Sequence, residues 1–362
     1  MSFIETQSQG LQVQTANQKL LQNELQNLLN TLSISSHELR PLKEASLNSA
    51  DSVRVAENAL TLLYKAMLTI DSDIGQNKKR MADAAGDSSM YADSDVRQMR
   101  AIRDKKDSYR AEAGTFLKRL RQFMTLAFKA AEQKRAETAS AASTSLKLDY
   151  TARNAARQEL WMYNALMLFA REVGTTEWTM IINLYEQDAK GPYQNEFRDH
   201  AAIWKRGAKK NSGDEQNLLF THHEKENEGD GITGAARKLT VRRGKTVRMN
   251  QGPKSLEKQS GKLEPCEVFA GALQEMLKMI SQEQNFLVNF FHLSSLAPGE
   301  FPDIVAANDP RNRQIPDFTV KQLHDPDRDL AKRVEHIMDS IYSFWATDMQ
   351  NLVDWSLRTE RL

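Results

Sequence analysis

Apolar residues return every seven positions at the start of the chain. Ile4, Leu11, Gln18, Leu25 and Leu32 form one row, and Gln7, Gln14, Leu21 and Leu28 fill the row between them. That a/d spacing predicts a helix over about residues 3–33 with a stripe that needs a second helix to cover it. Three of the seam positions are glutamines, Gln7, Gln14 and Gln18. Buried amides cost stability unless they are hydrogen bonded, but they fix register and the choice of partner. A run this short also suits an ordinary amphipathic helix packed on its own domain, so the pattern leaves both readings open.

Helical periodicity continues beyond it. Ser35-Ser36-His37-Glu38 reads as a capping box, with Ser35 at the N-cap and Glu38 reaching back to its amide. Val53, Val55, Leu60, Leu62, Leu63 and Met67 carry the next helix, and a polar stretch with Gly75 and Gly86 follows. A long helix is predicted from about Asp93 to Ala139, on a stripe that includes Ile102, Tyr109, Phe116, Leu120 and Phe123. Leu146 to Trp204 is predicted to hold one or two helices, with Gly174 marking a break. Its large residues, among them Trp161, Phe169, Trp178 and Tyr185, read as core packing and not as a cofactor box. Pro265 opens a further helix, with an apolar face from Val268 to Phe291. Prolines 298, 302, 310, 316 and 326 predict an extended connector, and a single helix from about Asp327 to Leu357 closes the chain.

The stretch of about residues 207–262 is different. It is polar and glycine-rich and cannot bury enough apolar surface to offset its ordering entropy, so disorder is expected there. Within it, Arg237, Lys238, Arg242, Arg243, Lys245 and Arg248 follow one another without an acid between them. Such a run either attracts anionic lipid, at roughly 1 kcal/mol per basic side chain, or stays a solvated loop. Thr240 and Thr246 each lie three residues after an arginine, and phosphorylation at either would weaken that attraction.

Composition narrows the function classes. The chain has 362 residues with Lys+Arg 49 against Asp+Glu 48, a formal net charge of +1. A dedicated nucleic-acid binder would carry a basic excess, so none is expected as a partner. The one cysteine, Cys266, excludes an intrachain disulfide and suits a reducing, cytoplasmic setting. No apolar run approaches the roughly 18–20 residues that span a bilayer, and the opening MSFIETQSQGLQ lacks a basic segment followed by an apolar one. Chemistry is equally sparse. No phosphate-binding glycine motif appears, and His222-His223 sits in a polar loop without metal-ligand spacing. Asp325, Asp327 and Asp329 fall at a helix start, where carboxylates favour the dipole. No catalytic residue, metal ligand, cofactor or small-molecule substrate is therefore expected.

One segment carries a family resemblance. Gly10-Leu11-Gln12-Val13-Gln14-Thr15-Ala16-Asn17-Gln18-Lys19-Leu20-Leu21, followed by Glu24-Leu25, resembles the signature of the exocyst Sec-three family (exocyst complex component one). Ala236 to Arg243 is a second match, and Glu264 to Phe291, with Glu283-Gln284-Asn285-Phe286 and Phe290-Phe291 at its end, a third. The resemblance implies a non-enzymatic subunit of the multiprotein tether that holds secretory vesicles at the plasma membrane before fusion. Its expected partners are the other exocyst subunits, and its expected place is cytoplasmic, peripheral at the plasma membrane. Family members begin with a lipid- and Rho-GTPase-binding module, whereas this chain begins inside the coiled coil. Its closing Arg358–Leu362 does not read as a domain end, so a longer native protein is expected. What carries over is assembly and scaffold-building.

The expected architecture is an all-α rod of the multisubunit-tether type. Residues 1–33 would end the coiled-coil assembly helix, with Ile4, Leu11, Gln14, Gln18, Leu21, Leu25, Leu28 and Leu32 binding the partner. Residues 34–295 would form a first helical bundle, and 296–362 a proline-rich connector and the start of a second. Two other classes stay open: a generic helical scaffold or adaptor, and an anionic-lipid binder acting through Arg237–Arg248.

Overall fold

The computed structural model describes residues 2–71, 73–75, 100–139, 146–148, 150–208, 263–296, 299–320 and 325–361. Among them the chain is all-α, with eleven α-helices, one 3-10 turn at Pro310–Asn312 and a single isolated bridge between Ala208 and Leu263. In chain order the helices are α1 Ser2–Leu32, α2 Ser36–Glu44, α3 Ala50–Ile70, α4 Arg100–Ala139, α5 Thr151–Trp161 and α6 Asn164–Val173. They continue as α7 Thr175–Arg206, α8 Pro265–Phe290, α9 Phe301–Ala307, α10 Arg328–Ile341 and α11 Trp345–Arg361.

Contacts divide the chain into two compact units, each drawn from separated stretches. Unit 1 comprises Met1–Ala141, Asp149–Tyr193 and Met279–Ser343; unit 2 comprises Ala142–Leu148, Gln194–Lys278 and Phe344–Leu362.

Unit 1 has an aromatic interior. Phe169 of α6 lies 5.2 Å from Phe301 of α9 and 6.3 Å from both Tyr64 of α3 and Phe116 of α4, ring centre to ring centre. Trp161, Phe286, Phe290 and Phe318 form a second cluster. Phe116, Trp161 and Phe169 are among the large residues whose helical spacing predicted packing, whereas Tyr64, Phe301 and Phe318 are not, and all of these are buried. Gly174 ends α6 and starts α7 in direct contact with α4, since a Cβ there would run into Leu117 Cδ1. The turn that closes α8 runs through His292, the one non-glycine residue of positive φ among those described. Leu293 N–H reaches back to the Val288 carbonyl at 2.9 Å, the closing bond of a helix that ends in a left-handed residue.

Two ion pairs are enclosed in unit 1. Arg313 gives Nη1 and Nη2 to the two oxygens of Glu57 at 2.8 and 2.7 Å, and Arg157 gives Nη2 to Glu283 at 2.7 Å. All four side chains are buried. Burial pushes the Glu57 carboxyl up, and the Arg313 hydrogen bonds and charge partly offset that.

Unit 2 is built around Phe197, 5.7 Å from Phe344 and 5.3 Å from Trp345. Arg198 makes a two-pronged pair with the buried Asp348 at 2.9 and 3.1 Å. Trp204 packs against Gly271 of α8, where a Cβ would strike the indole ring.

Several expectations are corrected. Leu146–Trp204 holds three described helices, α5, α6 and α7, because Met162-Tyr163 breaks the pattern as well as Gly174. The proline-rich connector is not simply extended: Pro302 sits in the first turn of α9, where a missing N–H costs nothing. The last helix is two, α10 and α11, separated at Tyr342–Phe344. Pro41 and Pro192 lie inside α2 and α7 and do not break them. The expected start of the long helix at Asp93, and all of 209–262, lie outside the described residues.

Candidate functional site

The candidate site is the face of α1. At 31 residues it spans about 46 Å at 1.5 Å per residue. Its far end is anchored in unit 1: Leu32 is buried, and Tyr109 OH of α4 donates to the Leu32 carbonyl. The turn after it is held by the predicted capping box. Glu38 N–H donates to Ser35 Oγ at 3.3 Å, and Ser35 N–H donates to Glu38 Oε2 at 2.8 Å. That backbone bond from Ser35 is the main reason the Glu38 carboxyl lies below its usual range. Leu42, next on α2, is buried, so the chain enters the bundle within about three turns of leaving α1.

Up-chain of Leu32 the picture reverses. Every described side chain from Gln12 to Asn30 is exposed, including Gln14 and Gln18. Leu21 is 59% exposed, Leu25 42% and Leu29 60%. Positions 4, 11, 14, 18, 21, 25, 28, 29 and 32 share a strip about 120° wide, the width of a packing face. Ile4, Leu11 and Leu28 belong to it by register, but their side chains lie outside the described residues.

Heptad reasoning missed three exposed apolar side chains, Val13, Leu20 and Leu29. Leu29 widens the strip next to Leu25. Val13 and Leu20, seven residues apart, form a second row beside it; a count of apolar positions on a full helical wheel finds them, whereas a two-row template does not.

No group of three or more His, Cys, Asp or Glu among the described residues could hold a metal ion, and no described helix is long and apolar enough to cross a membrane. Cys266 is exposed at the start of α8. Arg237, Lys238, Arg242, Arg243, Lys245, Arg248, Thr240, Thr246 and the His222-His223 pair lie outside the described residues.

The described residues therefore define an all-α helical-bundle chain with an uncovered apolar face on its first helix. Comparison with family models then places it: the model of the coiled-coil region of Exocyst complex component Sec3 matches residues 1–69, and that of its C-terminal region matches residues 290–362. Both ends of the chain thus match the exocyst Sec3 family. No curated protein and no solved structure matches it. The first match takes in α1, α2 and nearly all of α3, so the family's coiled-coil region here includes a helix whose inner face is core. The resembling segments Ala236–Arg243 and most of Glu264–Phe291 fall between the two matches.

Proposed function

We propose that this chain is a non-enzymatic scaffold subunit of the exocyst, joined to other subunits by a helix laid on the face of α1. In this reading it works at the plasma membrane as part of the tether that holds secretory vesicles before fusion. The observation that carries it is the run of exposed leucines, Leu21, Leu25 and Leu29, within the family's coiled-coil region. Burying a leucine stabilises by about 1.5–3 kcal/mol, so covering three would favour association by several kcal/mol before the cost of ordering is met. Gln14 and Gln18 supply amides that pair only with a helix offering matching groups in register, which favours one partner over another. Residues 1–33 are accordingly the assembly element, and the helices that follow hold it in place.

The test is capture of exocyst subunits from a cytosolic extract by the whole chain and by its Leu21→Asp/Leu25→Asp variant. Recovery of several subunits by the first and none by the second is expected. Equal recovery by both would place the contact elsewhere on the chain.

A further inference from the structure

A second polar site lies inside unit 1. Glu283 of α8 is fully buried and accepts from Arg157 Nη2 at 2.7 Å, from Tyr185 OH at 2.5 Å and from Tyr193 OH. Arg153 lies over the Tyr193 ring, 4.0 Å from its centre, and Arg135 gives Nε to both oxygens of Glu132 at 2.9 and 3.0 Å. These groups and Asp188 of α7 line a cavity of about 60 Å³. Two atoms of its lining residues are buried without a hydrogen-bond partner: Arg157 Nη1, on a side chain only 4% exposed, and Asp188 Oδ2.

Charge decides what fits. Three guanidinium groups, on Arg135, Arg153 and Arg157, meet three carboxyl groups, on Glu132, Asp188 and Glu283. An incoming anion would face Asp188 and Glu283, and an incoming cation would face the arginines. Glu283 already takes Arg157 Nη2 and the hydroxyls of Tyr185 and Tyr193. What remains is the Arg157 Nη1 amino group, which lacks an acceptor, and the Asp188 Oδ2 oxygen, which lacks a donor. Size sets the other limit. A water needs roughly 10–15 Å³ of such space, so the cavity holds a few waters or one small solute and excludes a sugar or nucleotide.

We propose that this cavity binds a neutral hydroxyl-bearing group, water or a small polyol, which accepts from Arg157 Nη1 and donates to Asp188 Oδ2. The bound group links α5 to α7 and completes the hydrogen bonding of the cluster around Glu283. This site stands apart from the face of α1 and does not depend on the exocyst reading.

Crystals of the full chain grown without any polyol, at a resolution that shows ordered water, are the direct test, followed by the same crystals soaked in glycerol. Oxygen density within hydrogen-bond reach of both atoms is expected in the first. After soaking, unchanged peaks identify water as the ligand, and continuous three-carbon density identifies a polyol. An empty cavity in both, or Arg157 Nη1 bonded directly to Asp188, overturns the proposal. A solution arm uses Asp188→Asn, which keeps an acceptor, and Asp188→Leu, which removes it. Asp188→Leu is expected to melt about 2–4 °C below Asp188→Asn. A melting temperature at or above that of Asp188→Asn overturns the proposal as well.

Discussion

Leu25 and Leu32 hold the same heptad position one repeat apart, and their surroundings are opposite. Leu25 is 42% exposed, while Leu32 is 7% exposed against its own unit. A heptad row records a demand for burial, not the source of the cover. At Leu32 the cover is the chain's own bundle, with Tyr109 of α4 bonded to its carbonyl. At Leu21, Leu25 and Leu29 no described part of the chain supplies it. Of the two readings that periodicity left open, the self-packed helix holds at Leu32, and the partner seam is the reading proposed for Leu21, Leu25 and Leu29.

The largest expected effect lies in the interior, where cover is complete. Removing Glu57 leaves Arg313 buried with its charge unmatched, retaining only the 2.6 Å bond from Nη1 to the Met162 carbonyl. Glu57→Ala is expected to cost about 3–5 kcal/mol in urea unfolding, because breaking a buried pair strands its partner. Replacing both, as Glu57→Leu with Arg313→Met, should recover most of that loss. A Glu57→Ala cost below about 1 kcal/mol would mean that the pair is solvated, and the contrast between interior and α1 would shrink.

Neither ion pair was legible in the sequence, although much of the fold was. Caps and apolar stripes are local, so Ser35/Glu38, Pro265 and most core positions of α3, α4 and α8 could be read directly, although Val55 and Leu62 of the α3 stripe are exposed. Glu57–Arg313 and Arg157–Glu283 join residues far apart in the chain, and a charge on an amphipathic helix looks solvated until tertiary structure closes over it. The breaks at Met162-Tyr163 and at Tyr342–Phe344 carry neither glycine nor proline, so turn chemistry gave no warning. Conversely, Pro41 and Pro192 lie inside α2 and α7, although a proline in a helix interior removes a backbone hydrogen bond. Of the candidate site, the strip and its register were legible, and the point at which the chain's own bundle begins to cover it was not.

Acid should separate the two regions next. His292 in unit 1 and His200 in unit 2 are each held down to about 4 by burial. His292 Nε2 lies 3.0 Å from the Asn164 carbonyl, and His200 Nε2 accepts from Trp204 Nε1 at 3.0 Å. Unfolded, each binds a proton near pH 6.5, whereas folded each stays neutral until about pH 4. The unfolded chain therefore holds more protons across that window, and stability falls as pH drops through it. Each histidine contributes a loss of about 3 kcal/mol over the full range. α1 contains no histidine, so no histidine contribution of this kind arises there. Urea midpoints measured at neutral pH and near pH 4.5 check this. His292→Asn, which tolerates the positive φ, should flatten the fall; an unchanged slope in that variant would exclude His292 as a source.

The smallest effect tests the comparison most directly. Leu32→Ala removes side-chain atoms from a closed interior and is expected to cost about 2–3 kcal/mol of chain stability. Leu25→Ala, the same chemical change one heptad earlier, should stay within about 0.5 kcal/mol, as an exposed substitution does. The order should invert when the readout is capture of exocyst subunits, because only the uncovered leucine has burial still to gain. Equal stability losses at both positions would mean that the chain itself covers Leu25 in solution. The exposed strip would then belong to an ordinary self-packed helix, and the assembly surface would have to be sought beyond α1.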